Sequence, residues 1–303
     1  MKYAGESRGD DTDDMTRDTE TPRRAQGRAA RERLDVLVVE RGLAPSRERA
    51  RALIMAGDVR VDGQSATKAG MLTSITATIE LAGPAAELRY VSRGGLKLEA
   101  ALDAFALDPA GRVCLDVGAS TGGFTDVLLR RGARRVYAVD VGRGQIAWAL
   151  RTDPRVVVMD RTNIRYVESL PEPPDCAVID VSFISLRLVL PRVAALLGAN
   201  GWVVALVKPQ FEAGRAEADR GAGVISDPEV HLRVLIGLLE WLAGENGPAL
   251  AASGLALSPI TGREGNHEYL LWLRKQSTGQ PLPAPPDERT VRALVAEAFH
   301  LAQ

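Results

Sequence analysis

Three apolar runs in this chain each end in an aspartate. "LDVGASTGGF" carries Asp116 ahead of a glycine-rich turn, "VYAVDVG" reaches Asp140, and "VVMDRTN" reaches Asp160. If these runs are strands of one parallel sheet, their carboxyl ends open onto a shared ligand crevice. Gly118, Gly122 and Gly123 permit a tight turn and close approach by a ligand, with Ser120, Thr121 and Phe124 beside them. The turn is neither GxGxxG nor a phosphate loop, since no GK[ST] follows. Its leading acid suits a cationic group better than a pyrophosphate. Asp140 stands where a carboxylate can accept from both hydroxyls of a ribose, and Asp160 where one can meet an adenine amine. A positively charged nucleoside without phosphates satisfies all three, and S-adenosylmethionine is such a molecule.

Two further runs bring in the opposite charge. "VIDVSF" ends in Asp180, and "WVVALVKPQFE" finishes its apolar stretch on Lys208. Methyltransferases that act on amines often hold the amine with an Asn/Asp-Pro-Pro-aromatic turn, and "DVSF" lacks the prolines. A hydroxyl acceptor is the better reading. A neutral alcohol is a poor nucleophile, so its proton must leave as the new bond forms. A lysine takes that proton only in its neutral form, which burial and nearby positive charge favour and carboxylates oppose. "SRGGLKL" contributes Lys97 near the start of a helix, where a cation opposes the macrodipole. "GNHEYL" contributes Glu268 ahead of a last strand. Lys97, Asp180, Lys208 and Glu268 would give one cleft two positive and two negative groups.

These groups need a scaffold, and the chain alternates strand and helix patterns to supply one. Strands are expected at "RVCLDVGA", "RRVYAVDVG", "VVVMDR", "DCAVIDVS", "GWVVALVK", "LALSPI" and "HEYLLWLRK", with helices over 122–131, 144–150, 185–198 and 228–243. Continuous apolar strands alternating with helices imply a mostly parallel sheet covered on both faces, an α/β fold. Before it, residues 31–82 form a small α+β module. A short helix carries Leu34, Leu37 and Val38, Ser46 caps a second helix closed by Gly57, and "DVRVDGQSA" forms a hairpin at its Asp-Gly turn. The second helix presents Arg47, Arg49 and Arg51, with Arg47 and Arg51 on one face. Arginine's planar fork suits phosphate.

The module resembles the S4 RNA-binding domain, matching "RLD..L...GL..SR..A..LI..G.V.V.G" from Arg33 to Gly63. That resemblance implies contact with structured RNA through backbone and shape, with Arg33, Arg47, Arg49, Arg51 and Arg93 as candidates along the path to the cleft. The large unit, 93–275, resembles ribose 2'-O-methyltransferases of the FtsJ/RrmJ type, which use a Lys-Asp-Lys-Glu tetrad. The matches are "SRGGLKL" for Lys97, "IDVSF" for Asp180, "LVKPQFE" for Lys208 and "GNHEYL" for Glu268. The two units in this order resemble the TlyA (hemolysin A) family. The resemblance implies a Rossmann-like class I methyltransferase sheet, S-adenosylmethionine as cofactor, and methylation of cytidine 2'-hydroxyls in 16S and/or 23S ribosomal RNA, free or in ribosomal subunits. It further implies Lys208 as base, Asp180 orienting Lys208 and the methyl group, and Lys97 with Glu268 positioning the ribose.

Bulk properties agree with such a protein. The chain has 303 residues, 46% hydrophobic and 25% charged, with a net charge of -1, so any basic RNA surface must be local. Residues 1–30 are too polar and charged to fold and are expected to be disordered. Residues 83–92 read as a linker, 211–227 as a glycine-rich mobile loop, and 276–303 as a spacer and a docked helix. Cys114 and Cys176 lie in buried strands as small apolar residues, and His231, His267 and His300 show no metal-ligand spacing. No apolar run spans a bilayer and no secretion signal opens the chain, so a cytoplasmic location is expected. A membrane-lytic protein and a non-catalytic RNA binder are the competing classes. The first lacks sequence support, and acids and lysines at every expected position argue against the second.

Overall fold

The computed structural model describes residues 30–44, 46–81, 90–214, 217, 223–262, 264–275 and 284–300. Residues 1–29 of the segment 1–30 expected to be disordered, most of the linker, part of the glycine-rich loop and most of the spacer lie outside the described residues.

The amino-terminal unit runs β1 (Arg31–Arg33), α1 (Leu34–Glu40), α2 (Arg47–Met55), β2 (Val59–Val61), β3 (Gln64–Ala66), β4 (Leu72–Ser74) and β5 (Ile79–Leu81). Ser46 caps α2 by accepting from the Arg49 amide at 3.2 Å. Asp62 and Gly63 both take positive φ, 50° and 80°, the paired left-handed geometry of a type I' hairpin turn. Leu34, Leu37, Val38, Leu53 and Ile54 close a small core. Strands β1, β4 and β5 are additions to the expected elements: β1 pairs antiparallel with β4, and β5 with β2. In β1, three residues without an apolar alternation leave no strand signal in sequence.

The large unit continues with α3 (Gly94–Ala104), β6 (Val113–Val117), α4 (Gly123–Arg130), β7 (Arg135–Val139), α5 (Trp148–Arg151), β8 (Val156–Met159), β9 (Cys176–Ile179), α6 (Leu186–Leu196), β10 (Trp202–Val207), α7 (Pro209–Glu212), α8 (Pro228–Ala243), β11 (Leu250–Leu257), β12 (Tyr269–Lys275) and α9 (Glu288–Ala298). Seven strands form one sheet in the order β11-β12-β10-β9-β6-β7-β8. Strands β8, β7, β6, β9 and β10 are parallel, and β12 runs antiparallel to β10. Chain order reverses on either side of β6, so the ligand crevice lies above its carboxyl end.

Alternation along the strands feeds two cores. Val113, Leu115 and Val117 of β6 face α6, α8 and α9, while Cys114 faces α3, α4 and α5. Cys114 and Cys176 are register partners with sulfurs 3.0 Å apart, both fully buried free thiols. The helix expected over 144–150 is a single turn, Trp148–Arg151. Two carboxylates hold the preceding segment as a loop: Asp140 accepts from the Gly142 amide at 2.7 Å and Asp160 from the Gly144 amide at 3.2 Å.

Candidate active site

Strand register alone lines up the carboxyl edge of the sheet. Val117 pairs with Ile179 and Val207 with Tyr269. The next residue outward on β6 and β9, and the residues flanking the Val207–Tyr269 pair, are Gly118, Asp180, Lys208 and Glu268. They form a row across four strands. Because β12 is antiparallel, its residue on this edge precedes the strand, which is why Glu268 stands ahead of "YLLWL" rather than after it.

Two opposite-charge pairs occupy the row. Lys208 Nζ lies 2.5 Å from Asp180 Oδ1 and 3.1 Å from Ser182 Oγ. Lys97, on the inward face of α3, pairs with Glu268 across 171 residues of sequence. Lys97, Lys208 and Glu268 are buried. A buried ion is costly without a partner, so each pair satisfies a need that either member alone would leave open.

The glycine-rich turn sits one strand away. Gly118 has φ +85°, and a Cβ there would lie 2.4 Å from the carbonyl oxygen of Asp180. Only a glycine lets the β6 turn pass against the end of β9. The Ser120 amide donates to Asp140 Oδ2 at 2.8 Å, so both Asp140 oxygens brace backbone while keeping lone pairs for further donors. Asp160 Oδ2 is taken by Arg151 at 2.8 Å as well as by Gly144. The Arg151 hydrogen bond outweighs partial burial and holds the Asp160 carboxyl below its ordinary range.

Asp116 is fully buried beneath this turn. Its Oδ2 accepts from Thr125 Oγ1 at 2.6 Å, while Oδ1 has no hydrogen-bond partner. Burial pushes its carboxyl up to about 7, with the neighbouring Asp180 and Asp140 carboxylates adding to the rise and Thr125 opposing it. An orphaned acid oxygen among three carboxylates repels phosphate and fits a cationic group. The residues therefore suit the ammonium and sulfonium of S-adenosylmethionine. Thr121 is buried in the turn and its carbonyl accepts from the Ala147 amide at 3.1 Å. Two of the cofactor candidates face elsewhere. Phe124 belongs to the core between α3 and α4, and Gly123 abuts Ser92 and Gly95 of the α3 entry.

The arginines of the amino-terminal unit divide into two groups. Arg33 and Arg47 share the fully buried Asp35 at 2.9 and 3.0 Å and keep much of their length exposed; Arg51 is exposed. Arg49 and Arg93 do something the sequence did not announce. Arg49 donates to the main-chain carbonyls of Val91 (2.5 Å) and Tyr90 (3.2 Å). Arg93 reaches back to Asp58 at 3.3 Å. Each crosses from one unit to the other, forming a reciprocal clasp. The Val91 amide also donates to Asp126 of α4 at 2.8 Å, which continues the clasp into the helix after the glycine-rich turn.

Sequence reasoning missed several residues near the cleft. Phe183 is 90% exposed with φ +62°, a backbone region costly for a large side chain. Its ring lies 4.9 Å from that of Phe211, and its place directly after Ser182 in "DVSF" was the available signal. Asn266, buried, accepts from the Ile225 amide at 2.9 Å and donates to the Gly223 carbonyl at 2.9 Å. His231 Nε2 faces the Ile225 carbonyl at 3.0 Å and Nδ1 faces the Tyr269 hydroxyl at 2.9 Å. A carbonyl only accepts, so Nε2 carries the hydrogen and Nδ1 accepts from Tyr269. Burial lowers the His231 pKa and raises that of Tyr269.

Among the described residues, no helix is long and apolar enough to cross a membrane, and no group of three or more His, Cys, Asp or Glu side chains is placed to hold a metal ion.

Comparison with known proteins follows the same division of the chain. The FtsJ-like methyltransferase family model matches residues 90–275 and the S4 domain model residues 32–74. YqxC of Bacillus subtilis is 48% identical over 273 residues, 89% of this chain and 94% of that protein. The 16S/23S rRNA (cytidine-2'-O)-methyltransferase TlyA of Mycobacterium tuberculosis is 46% identical over 271 residues, 89% of this chain and 99% of that one. A solved structure from Streptococcus thermophilus, provisionally named a hemolysin, superposes with a TM-score of 0.67 at 42% identity, covering 90% of this chain and 97% of that one.

Proposed function

Because the chain belongs to the FtsJ-like methyltransferase family, we propose that it methylates the ribose 2'-hydroxyl of cytidine in ribosomal RNA, with S-adenosylmethionine as cofactor. The observation that carries this reading is the Asp180–Lys208 contact at 2.5 Å, one strand from the glycine-rich turn. The cofactor supplies an electrophilic methyl on a sulfonium. Asp116, Asp140 and the Gly118–Thr121 turn hold its cationic and ribose parts, with Asp160 toward adenine.

The chain's own groups account for the proton. A neutral amine has two N–H bonds and one lone pair. The Asp180 pair favours the ammonium form, so Lys208 must release one proton before it can accept the hydroxyl's; its two remaining N–H bonds then stay on Asp180 and Ser182 and its lone pair faces the hydroxyl. Lys208 Nζ would take the proton of the ribose hydroxyl, and the cofactor held by Asp116, Asp140 and the Gly118–Thr121 turn would supply the methyl group to that oxygen. Lys97 and Glu268 position the ribose from the β12 side. Phe183, flat and exposed at the rim, offers a stacking face for an unstacked base. Arg33, Arg47 and Arg51 supply phosphate contacts on the S4 surface. Ribosomal subunits are the physiological partner and the cytoplasm the place of action.

The test is transfer of labelled methyl from S-adenosylmethionine to purified 30S and 50S subunits lacking the native modification. Label on ribose is expected with the wild type and none with Lys208→Ala. Lys208→Arg is expected to be equally inactive, because a guanidinium keeps its proton. Full labelling by Lys208→Ala overturns the assignment of the base.

A further inference from the structure

Two loops carry the reacting lysine and its partners, and one side chain ties them together without touching the lysine or Asp180. The first loop follows β9 and holds Asp180, Ser182 and Phe183. The second follows β10 and holds Lys208 and Phe211. Glu212, the last residue of α7, reaches from the second loop to the first. Its Oε2 accepts from Ser185 Oγ at 2.6 Å and its Oε1 from the Leu186 amide at 2.7 Å. Ser185 is the cap of α6, accepting from the Arg187 amide at 3.1 Å. One carboxylate therefore fastens the start of α6 to the end of α7, with both oxygens used.

The consequence is geometric. Asp180 stands five residues before Ser185 and Lys208 four residues before Glu212, so the Glu212 brace closes a short ring of chain around the Asp180–Lys208 contact. The Phe183–Phe211 ring pair lies inside the same ring. Helix α7 is only four residues long and starts at Pro209, too short to hold its direction without an anchor. We propose that Glu212 is a positioning residue for methyl transfer, holding the loop of Lys208 at a fixed setting against the loop of Asp180 and Phe183. This rests on Lys208 being the base.

The experiment compares Glu212→Ala, Glu212→Gln and Glu212→Asp with wild type and Lys208→Ala. Each is measured for kcat on ribosomal subunits, for S-adenosylmethionine Kd and for thermal midpoint. Misplacing a reacting group by about 1 Å costs on the order of 100-fold, and that loss of kcat is expected for Glu212→Ala. Cofactor Kd should stay within about threefold, since Glu212 does not touch the glycine-rich turn. Glutamine should recover most of the loss, because its amide can accept from the Leu186 N–H while donating to Ser185 Oγ. Aspartate, a methylene too short, should not. Wild-type kcat in folded Glu212→Ala overturns the proposal, as does a Kd loss equal to the kcat loss, or failure of glutamine to rescue. Activity in Lys208→Ala would instead overturn the assignment of the base.

Discussion

Replacing Asp116 by asparagine should stabilise the protein at alkaline pH while weakening cofactor binding. Asp116 is fully buried and its carboxyl is raised from an ordinary 3.8 to about 7, chiefly by burial. That rise corresponds to about 4 kcal/mol between the two protonation states. Below pH 3.8 both folded and unfolded chains hold the proton and the site contributes nothing. Between 3.8 and 7 the unfolded chain has released its proton and the folded one has not, so stability falls as pH rises. Above 7 the whole cost is present. Asparagine does not titrate, and its oxygen can still accept from Thr125. Between pH 5 and pH 9 the variant should gain about 3 kcal/mol on the wild type. In a domain of this size that widens the gap in Tm by roughly 6–12 °C. Differential scanning calorimetry of both proteins across that range reads the gap, and other titrating groups cancel in the difference. Parallel Tm curves would refute the buried-acid argument. Added S-adenosylmethionine should raise the wild-type Tm more than the variant's, because a cation beside Asp116 offsets the cost of its charge.

Other perturbations follow from the same geometry. Arg49→Gln with Arg93→Gln opens the clasp; kcat/KM on ribosomal subunits should fall at least about tenfold with cofactor Kd nearly unchanged, and equal activity on subunits would count against a fixed domain offset. Phe183→Ala should cost about 1–3 kcal/mol of kcat/KM on RNA if a base stacks there, while Phe183→Trp retains activity; unchanged kcat/KM in the alanine variant removes the stacking role. His231 is held neutral below its ordinary 6.5 by burial, so the unfolded chain takes up more protons as pH falls through 6.5 and stability drops. His231→Gln should flatten the dependence of Tm on pH between 7 and 5, and an unchanged slope would show that His231 does not set it.

The parts of the site carried by strand ends were legible in sequence, because a buried strand rarely takes on a charge unless a ligand or an opposite charge meets it there. Asp116, Asp140, Asp180 and Lys208 all follow that rule. Lys97 was marked by its misfit in a first helical turn, and its partner Glu268 emerges only from an antiparallel last strand. Residues whose task depends on what another segment does were not legible. Arg49 and Arg47 stand two apart in one helix and look alike in sequence, yet Arg49 donates to carbonyls of the linker while Arg47 meets Asp35. Phe183 has the chemistry of a core residue and the exposure of a surface one. Phe124 made the opposite error possible, since it follows the glycines of the turn but packs inward.

The antiparallel entry of β12 has a consequence for synthesis. Lys97 is translated 171 residues before the carboxylate that neutralises it. A chain halted anywhere before Glu268 carries a lysine whose native site is buried and lacks its counter-ion, together with an open edge on β10 where β12 should pair. Docking of the last strand neutralises the charge, covers the edge and completes the tetrad in one event. A chain without β12 lacks Glu268 and leaves the β10 edge unpaired, so the four-residue row of charges is complete only when the carboxyl-terminal strand is in place.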